Sequence, residues 1–479
     1  MSFTVNLKRI THSSILMGLM FGTALNATTL RDAIEQTMNK NPDIKSEHYN
    51  KQTTRMGIKE KEAGYYPKLD LKITLEHQQK DTTDKPADAP DDTKRIDGWN
   101  TTLKFEQPLY NSGATSSEIN QAKHKYYNVK YTSDEKINST ILKITNTYLD
   151  LVLNQSLKAF GDFKIVAHDY YLKLAKDKEE VSGEILDRLQ VQSKIQSLID
   201  SNLEQDVKSQ KTLSTYTKLT GSNINGNICR PLLNESLVPS TLTEAIQIAL
   251  KTNNKIKAQQ ELIQEEKAKV TLIKSKFKPN LKLQLDGTWD NSLATNDVGN
   301  QNKYQAKLVS SWNLYKGGKD SIALEKSKIT MLKEKKALDS IKNDVIDEVT
   351  STYKTYFQLK KRIDNLKKFV DINNKIVDVY REQLKEGSRT FLDLLNAETE
   401  VFRTRIMLEE EGIKKYREYF NILKSLNILG DVVLSQKNQL CKSFDINSIL
   451  PNYDEQYTKN EAGLDQSLDE ATKELGLEE

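Results

Sequence analysis

Apolar and polar residues alternate strictly along two segments in each half of the chain. In the first of these segments the apolar positions are Leu69, Leu71, Ile73 and Leu75, separated by charged or hydroxyl side chains. A period of two places one face of a strand in an apolar medium and the other in water. The pattern predicts strands at about 67–77 and 98–109, and again at about 279–290 and 303–315. All three tryptophans lie in these predicted strands, at Trp99, Trp289 and Trp312.

Each strand pair is followed by a very long helical pattern. No proline interrupts residues 113–182, and a continuous helix of that length would measure roughly 100 Å at about 1.5 Å per residue. Apolar residues recur there at alternating steps of four and three, as Ile137, Ile141, Ile144, Tyr148 and Leu151. A longer seam of this kind starts at Ile346 in the second half. Such heptad seams predict that each helix packs against partner helices along much of its length.

The two halves of the chain repeat one design. Leu30, Ala33, Ile34 and Asn41 recur 212 residues later, as Leu242, Ala245, Ile246 and Asn253. Beyond the first strand pair the offset falls to 205, where Thr147 and Tyr148 recur as Thr352 and Tyr353. The sequence therefore predicts two structural repeats, 28–230 and 231–435, each built from a helix, two strands, a very long helix, a tip and a further helix. In the first repeat, Pro42 breaks the opening helix after Asn41.

The tip of the second repeat, at about 387–396, carries the most informative local signals. Gly387 is expected to end the long helix, because glycine tolerates a positive φ, and Thr390 with Asp393 forms a capping box for the next helix. Asp393 and Asn396 share one face of that helix, with Arg389 just outside it. The first-repeat tip, at about 182–187, carries the corresponding aspartate at Asp187.

This tip, together with the duplicated architecture, resembles the TolC-like outer-membrane factor family, whose second tip reads Gly-x-Arg-Thr-x-x-Asp-x-x-Asp. The resemblance implies that three copies meet at a periplasmic entrance lined by Asp393 and Asn396, where Asn396 departs from the family pattern. It also implies a latch between Asp187 and Arg389 that holds the entrance shut. A solvated capping box without any gate is the alternative interpretation of the same residues.

The resemblance further implies partners at both tips. A periplasmic adaptor protein would contact them, and the residues expected at that contact are Ser182, Gly183, Gly387, Ser388 and Thr390. An inner-membrane transporter would supply the energy for export.

The predicted fold class is mainly α with membrane β. Four strands cannot close a barrel, and an open edge in lipid leaves backbone groups unpaired. The chain is therefore expected to oligomerise, since a dimer would give eight strands and a trimer twelve. The family resemblance implies the homotrimer, with a twelve-stranded barrel in the outer-membrane lipid continued by a periplasmic helical barrel. Amphipathic strands on a soluble core are the alternative.

The N-terminus indicates export from the cytoplasm. Lys8 and Arg9 precede an apolar run and then the small residues Ala24 and Ala27, which predicts a signal peptide over residues 1–27. Residues 436–479 are expected to form a C-terminal periplasmic segment, whose last part, 451–479, is an acidic tail with nine acidic residues against two lysines.

The two cysteines leave one structural question open. In an oxidising compartment, Cys229 and Cys441 could form a disulfide, or they could merely be equivalent positions of the repeat.

Composition excludes several classes of function. The chain is 37% hydrophobic and 29% charged, with a net charge of +4, which provides no footprint for nucleic acid. No nucleophile motif, phosphate-binding loop or metal-ligand cluster is apparent, so neither an enzyme nor a cofactor is expected. Gly317 and Gly318 are better explained as a strand-to-helix corner than as a nucleotide loop.

The predicted function is a passive outer-membrane exit duct gated at its periplasmic tip. The absence of a lipidation cysteine favours type I protein secretion, and a small-molecule efflux pump is the alternative. An exported coiled-coil adhesin or structural protein without a pore is the competing class.

Overall fold

The computed structural model describes residues 28–80, 94–224, 228–291, 300–435 and 441–442. The predicted signal peptide lies outside the described residues, as does the acidic tail. Residues 81–93 of the first inter-strand loop also lie outside them.

The described part of the chain repeats one order of elements. The first half contains α1 (Leu30–Lys40), α2 (Pro42–Glu62), β1 (Lys68–Lys80), β2 (Lys94–Tyr110), α3 (Ala114–Ser182) and α4 (Leu186–Thr220). After the short β3 (Arg230–Pro231), the second half contains α5 (Leu242–Thr252), α6 (Asn254–Ser275), β4 (Asn280–Asn291), β5 (Gln301–Ser311), α7 (Lys319–Lys385) and α8 (Phe391–Ser425). The chain continues into α9 (Leu429–Ser435) and β6 (Cys441–Lys442). The mainly helical class with two tandem repeats is confirmed.

Polar caps and glycines set the ends of these helices. The Asn41 side chain accepts hydrogen bonds from the first turn of α2, which begins at Pro42, and Asn253 caps α6 in the same way. Proline suits a first helical position because its missing N–H would have no partner there. Gly317 and Gly318 have φ values of 59° and 78° immediately before α7, which confirms the strand-to-helix corner.

The four long strands form one antiparallel sheet in the order β1-β2-β4-β5. A single row across it pairs Leu71 with Leu103, Leu103 with Gly287, and Gly287 with Tyr304. Because side chains alternate between faces, this register collects the predicted apolar positions on one face of the sheet. The opposite face is polar, and there Glu106 pairs with Lys104 and Lys282 at 2.6 and 2.9 Å.

Strand bounds differ from the sequence prediction at several ends. The first two strands are longer than predicted, and β5 ends at Ser311. Trp312 therefore lies beyond the strand, so the prediction that all three tryptophans are strand residues was wrong at this position. Its indole N–H donates to the Phe277 carbonyl at 3.1 Å. This bond joins the strand end to the segment that leaves α6.

The larger hydrophobic core lies where the short helices of both repeats meet the middle of the long ones. The predicted seam of α3 is buried there at Ile141, Ile144, Tyr148 and Leu151, and α7 contributes Val349 and Tyr356. This confirms that both heptad seams are packing surfaces. A smaller core, around Val191 of α4 and Leu394 of α8, lies at the tip end of the helices.

Cys229 is buried and disulfide-bonded. Strand β3 pairs with β6, and Pro231 lies opposite Cys441, which brings the backbone of the only other cysteine close to it. Because Cys229 is disulfide-bonded and the sequence contains one other cysteine, the disulfide interpretation of the two cysteines is correct.

Candidate functional site

The first tip is a tight turn between α3 and α4. Gly183 has a φ of 72° and its N–H donates to the Glu179 carbonyl at 2.7 Å, which ends α3. The Ser182 hydroxyl donates to the Lys178 carbonyl and accepts from the Glu184 N–H. Ser182 and Gly183, both predicted to contact an adaptor, are exposed at this turn.

The second tip follows the sequence prediction closely. Gly387 has a φ of 74°, and the next residue, Ser388, bonds back to the Gln383 carbonyl through both its N–H and its hydroxyl. Thr390 and Asp393 form the capping box of α8, which confirms that assignment. Gly387, Ser388 and Thr390 are all exposed, so this tip presents its polar turn to solvent in the single chain.

The two proposed gate residues lie on the first turns of α8. Asp393 accepts hydrogen bonds from the N–H and the hydroxyl of Thr390, at 3.3 and 2.9 Å. These bonds, and then the Arg389 charge, hold the pKa of Asp393 below its usual value. Asn396, one turn further on, is exposed. The cap therefore fixes the position of a carboxylate that stays ionised at neutral pH.

The two predicted latch residues bind other partners in the single chain. Asp187 pairs with Lys178 at 2.6 Å, and this bond raises the pKa of Lys178. The Arg389 guanidinium lies 4.5 Å from the centre of the Tyr380 ring, and its Nε donates to Gln383. A pair between Asp187 and Arg389 stays a prediction for the assembled protein, and Lys178 would compete for the carboxylate.

Behind the second tip lies a buried ionic cluster that the sequence analysis missed. Glu398 of α8 has no exposed surface, and one carboxylate oxygen accepts hydrogen bonds from Tyr171 of α3 and Arg381 of α7. The available signal was a carboxylate on the apolar seam of α8, between Leu395 and Phe402. Heptad positions facing a partner helix rarely carry an acidic residue without a cation opposite it.

Among the described residues, no group of three or more His, Cys, Asp or Glu side chains is arranged to hold a metal ion. Within the same ranges, no helix is both long and apolar enough to cross a bilayer.

Comparison with known proteins places this architecture in a family. The family model for outer membrane efflux proteins matches residues 33–197 and 245–410, one stretch in each repeat. No curated protein matches the sequence.

Solved channels share the fold at low sequence identity. CusC, a transmembrane channel, is 14% identical with a TM-score of 0.72, over 84% of this chain and 92% of that one. The CmeC outer membrane channel of Campylobacter jejuni is 13% identical with a TM-score of 0.71, over 95% and 99%. The open state of the MtrE outer membrane channel of Neisseria gonorrhoeae is 13% identical with a TM-score of 0.68, over 83% and 88%.

The chain belongs to the outer membrane efflux protein family. It is an outer-membrane efflux protein of the TolC-like type. Membership of a channel family counts against a coiled-coil adhesin without a pore.

Proposed function

We propose that three copies of this chain form the passive, gated exit duct of a tripartite export system. The observation that carries the proposal is the four-stranded sheet, which has one apolar and one polar face and ends in the edge strands β1 and β5. In a bilayer those edges need partners, because lipid offers no hydrogen bonds to backbone groups. Joining β5 of one copy to β1 of the next gives twelve strands and a polar lumen.

The long helices support the same assembly. Each of α3 and α7 is about 100 Å long at about 1.5 Å per residue, which suits a duct that reaches far into the periplasm. Exposed apolar residues also form a stripe on α7, at Phe369, Ile372, Ile376 and Val379. Residues spaced in this way favour packing against a helix of a neighbouring copy.

At the periplasmic end, Asp393 and Asn396 line the proposed entrance, and the exposed turns of both tips meet an adaptor protein. The inner-membrane transporter supplies the energy, since the duct itself has no nucleotide loop. Of the two transport roles, the sequence favours type I protein secretion, in which the cargo is a protein. Small-molecule efflux is the second candidate, favoured by membership of the outer membrane efflux protein family.

A gene deletion separates these alternatives. Loss of a large secreted or surface protein with unchanged accumulation of a fluorescent dye would support type I secretion. Dye retention with an intact set of secreted proteins would support efflux instead. Complementation with the wild-type gene should restore the lost activity. If the protein extracted from outer membrane in mild detergent is a monomer, the trimeric duct is wrong.

A further inference from the structure

An open cavity of about 360 Å³ lies where the sheet meets the helices. Asn280, the first residue of β4, and Ser311, the last residue of β5, line it from the sheet, and the ends of α3 and α6 line it from the helices. Among the described residues, no acidic side chain lines this cavity, whereas three lysines do, at Lys276, Lys278 and Lys316.

The three lysines have few acidic neighbours. Lys276 and Lys278 take part in no ion pair within the described part of the chain, and Lys316 has a long contact, at 3.8 Å, with the Asp320 carboxylate. The polar face of the sheet differs, because two lysines there approach Glu106 to 2.6 and 2.9 Å. The cavity therefore holds positive charge that its own surroundings do not neutralise.

Hydrogen bonds hold the segment that carries two of these lysines. The Ser112 hydroxyl donates to the Pro279 carbonyl at 2.5 Å, and the Trp312 indole N–H donates to the Phe277 carbonyl at 3.1 Å. The residues on both sides of Lys278 are thus bound to the segments that follow β2 and β5. The lysines converge because the fold fixes their backbone, rather than as a chance grouping on the surface.

Aromatic side chains indicate the depth of the cavity in the membrane. Trp312 and Tyr315 are exposed, and Tyr66 and Tyr110 are exposed near the corresponding ends of β1 and β2. Tryptophan and tyrosine are enriched where a membrane barrel meets the lipid headgroups. Under the proposed function the helices extend into the periplasm, so this end of the sheet lies among the headgroups of the periplasmic leaflet.

We propose that the cavity binds the headgroup of an anionic phospholipid from the periplasmic leaflet. The ammonium groups of Lys276, Lys278 and Lys316 bind the phosphate, and the amides of Asn280 and Asn313, which also line the cavity, donate to the remaining headgroup oxygens. The acyl chains lie along the apolar face of the sheet. The site rests on the proposed function, because it needs the sheet to lie in the outer membrane. A free phosphate ion would satisfy the lysines, but the exposed aromatic residues favour a lipid.

The test titrates lipids onto the purified, delipidated trimer and counts the bound molecules by native mass spectrometry. We expect phosphatidylglycerol to bind more tightly than phosphatidylethanolamine, which has no net charge. The triple variant Lys276→Gln, Lys278→Gln, Lys316→Gln should weaken phosphatidylglycerol binding on the order of 100-fold, at about fivefold for each basic residue at an anionic surface. Binding of phosphatidylethanolamine should change little.

Two control variants separate the cavity from general charge. Arginine at the same three positions keeps the charge, so this variant should bind phosphatidylglycerol like the wild type. Glutamine at Lys354, Lys361 and Lys368 removes the same charge from exposed positions of α7. These positions lie roughly 50 Å or more along the helix from the cavity, at about 1.5 Å per residue, so that variant should also bind like the wild type.

Three results would overturn the lipid site. The first is equal affinity of the wild-type trimer for the two lipids, and the second is an equal loss of affinity in both glutamine variants. The third is displacement of phosphatidylglycerol by inorganic phosphate at constant ionic strength, which would assign the cavity to the free ion. None of these results would contradict the duct, which fails instead if the protein from the outer membrane is not a trimer.

Discussion

Tyr148 and Tyr353 stand at equivalent positions of the two repeats and donate equivalent hydrogen bonds. The Tyr148 hydroxyl bonds the carbonyls of Thr28 and Cys229, at 2.8 and 2.6 Å, and Tyr353 bonds the Pro239 carbonyl at 3.1 Å. Thr28 and Pro239 each lie shortly before the first helix of their repeat. Each long helix therefore binds the segment that enters its own repeat, which explains why this tyrosine recurs.

Removing these two hydroxyls should have unequal effects. Tyr148 is fully buried with two acceptors, and Tyr353 retains slight exposure, so water can replace its bond. We expect Tyr148→Phe to lower the free energy of unfolding by about 1–2 kcal/mol and Tyr353→Phe by less. Urea unfolding of the purified protein in detergent measures both, with the exposed Tyr49→Phe as the control. If both variants lose the same free energy of unfolding, the difference in burial does not determine how much each hydrogen bond contributes.

A new charge should impair assembly when it lies on the apolar face of the sheet and should have no effect on the polar face. Leu103 lies in the apolar row beside Leu71 and Gly287, and Thr74 lies on the polar face. We expect Leu103→Lys to cost about 2–4 kcal/mol in the bilayer and to deplete heat-dissociable oligomer from the outer-membrane fraction. The matched variant, Thr74→Lys, should assemble at the wild-type level. Normal assembly of both variants would show that this face does not meet lipid.

The carboxylates at the entrance should set ion selectivity. A trimer carries three Asp393 carboxylates, and Asn396→Asp raises the number to six. We expect Asn396→Asp to shift the reversal potential in a KCl gradient toward that of potassium, and Asp393→Asn to shift it the other way, because the local charge changes. Asn396→Gln is the neutral control. If neither Asn396→Asp nor Asp393→Asn changes the ion selectivity, the constriction of the channel lies elsewhere.

Lys178 should oppose the predicted latch. An exposed pair contributes about 0.2–1 kcal/mol, and three copies act on one entrance. We expect the double variant Asp187→Ala, Arg389→Ala to raise single-channel conductance. Lys178→Ala should lower it, since Asp187 is then free to bind Arg389. Unchanged conductance in the double variant would refute the latch, and Lys385→Ala serves as an exposed control at the other tip.

His168 should make the stability of the tip region depend on pH. Burial, and then the charge of Lys164, lower the pKa of His168 to about 4, against about 6.5 in an unfolded chain. Between these values the unfolded state binds more protons, so stability falls on acidification by about 1.4 kcal/mol per pH unit.

The pH dependence is best measured as a difference between variants. From pH 7 to pH 5, we expect the wild type to lose about 2 kcal/mol more than His168→Gln, as followed by urea unfolding. The exposed His48→Gln should behave like the wild type. If the wild type and His168→Gln lose the same free energy of unfolding between pH 7 and pH 5, folding does not lower the pKa of His168.

The sequence by itself determined several features that depend on residues a few positions apart. The capping box of Thr390 and Asp393, the positive φ of Gly387 and the alternating strand faces follow from residues a few positions apart. The internal repeat added the duplicated topology, because equal patterns fold into equal units. The sequence predicted the strand ends less accurately, as Trp312 illustrates. The end of a strand depends on the length of the partner strand and on where the adjoining helix begins.

Only the tertiary structure decided which distant residues meet. Tyr171 and Glu398 are 227 positions apart, and neither side chain carries a local sign of the other. Asp187 likewise had a candidate partner by sequence, but Lys178 is the cation that the turn after α3 brings within reach. Such contacts depend on how helices pack and turn, which is set by the summed burial of many side chains rather than by any single motif.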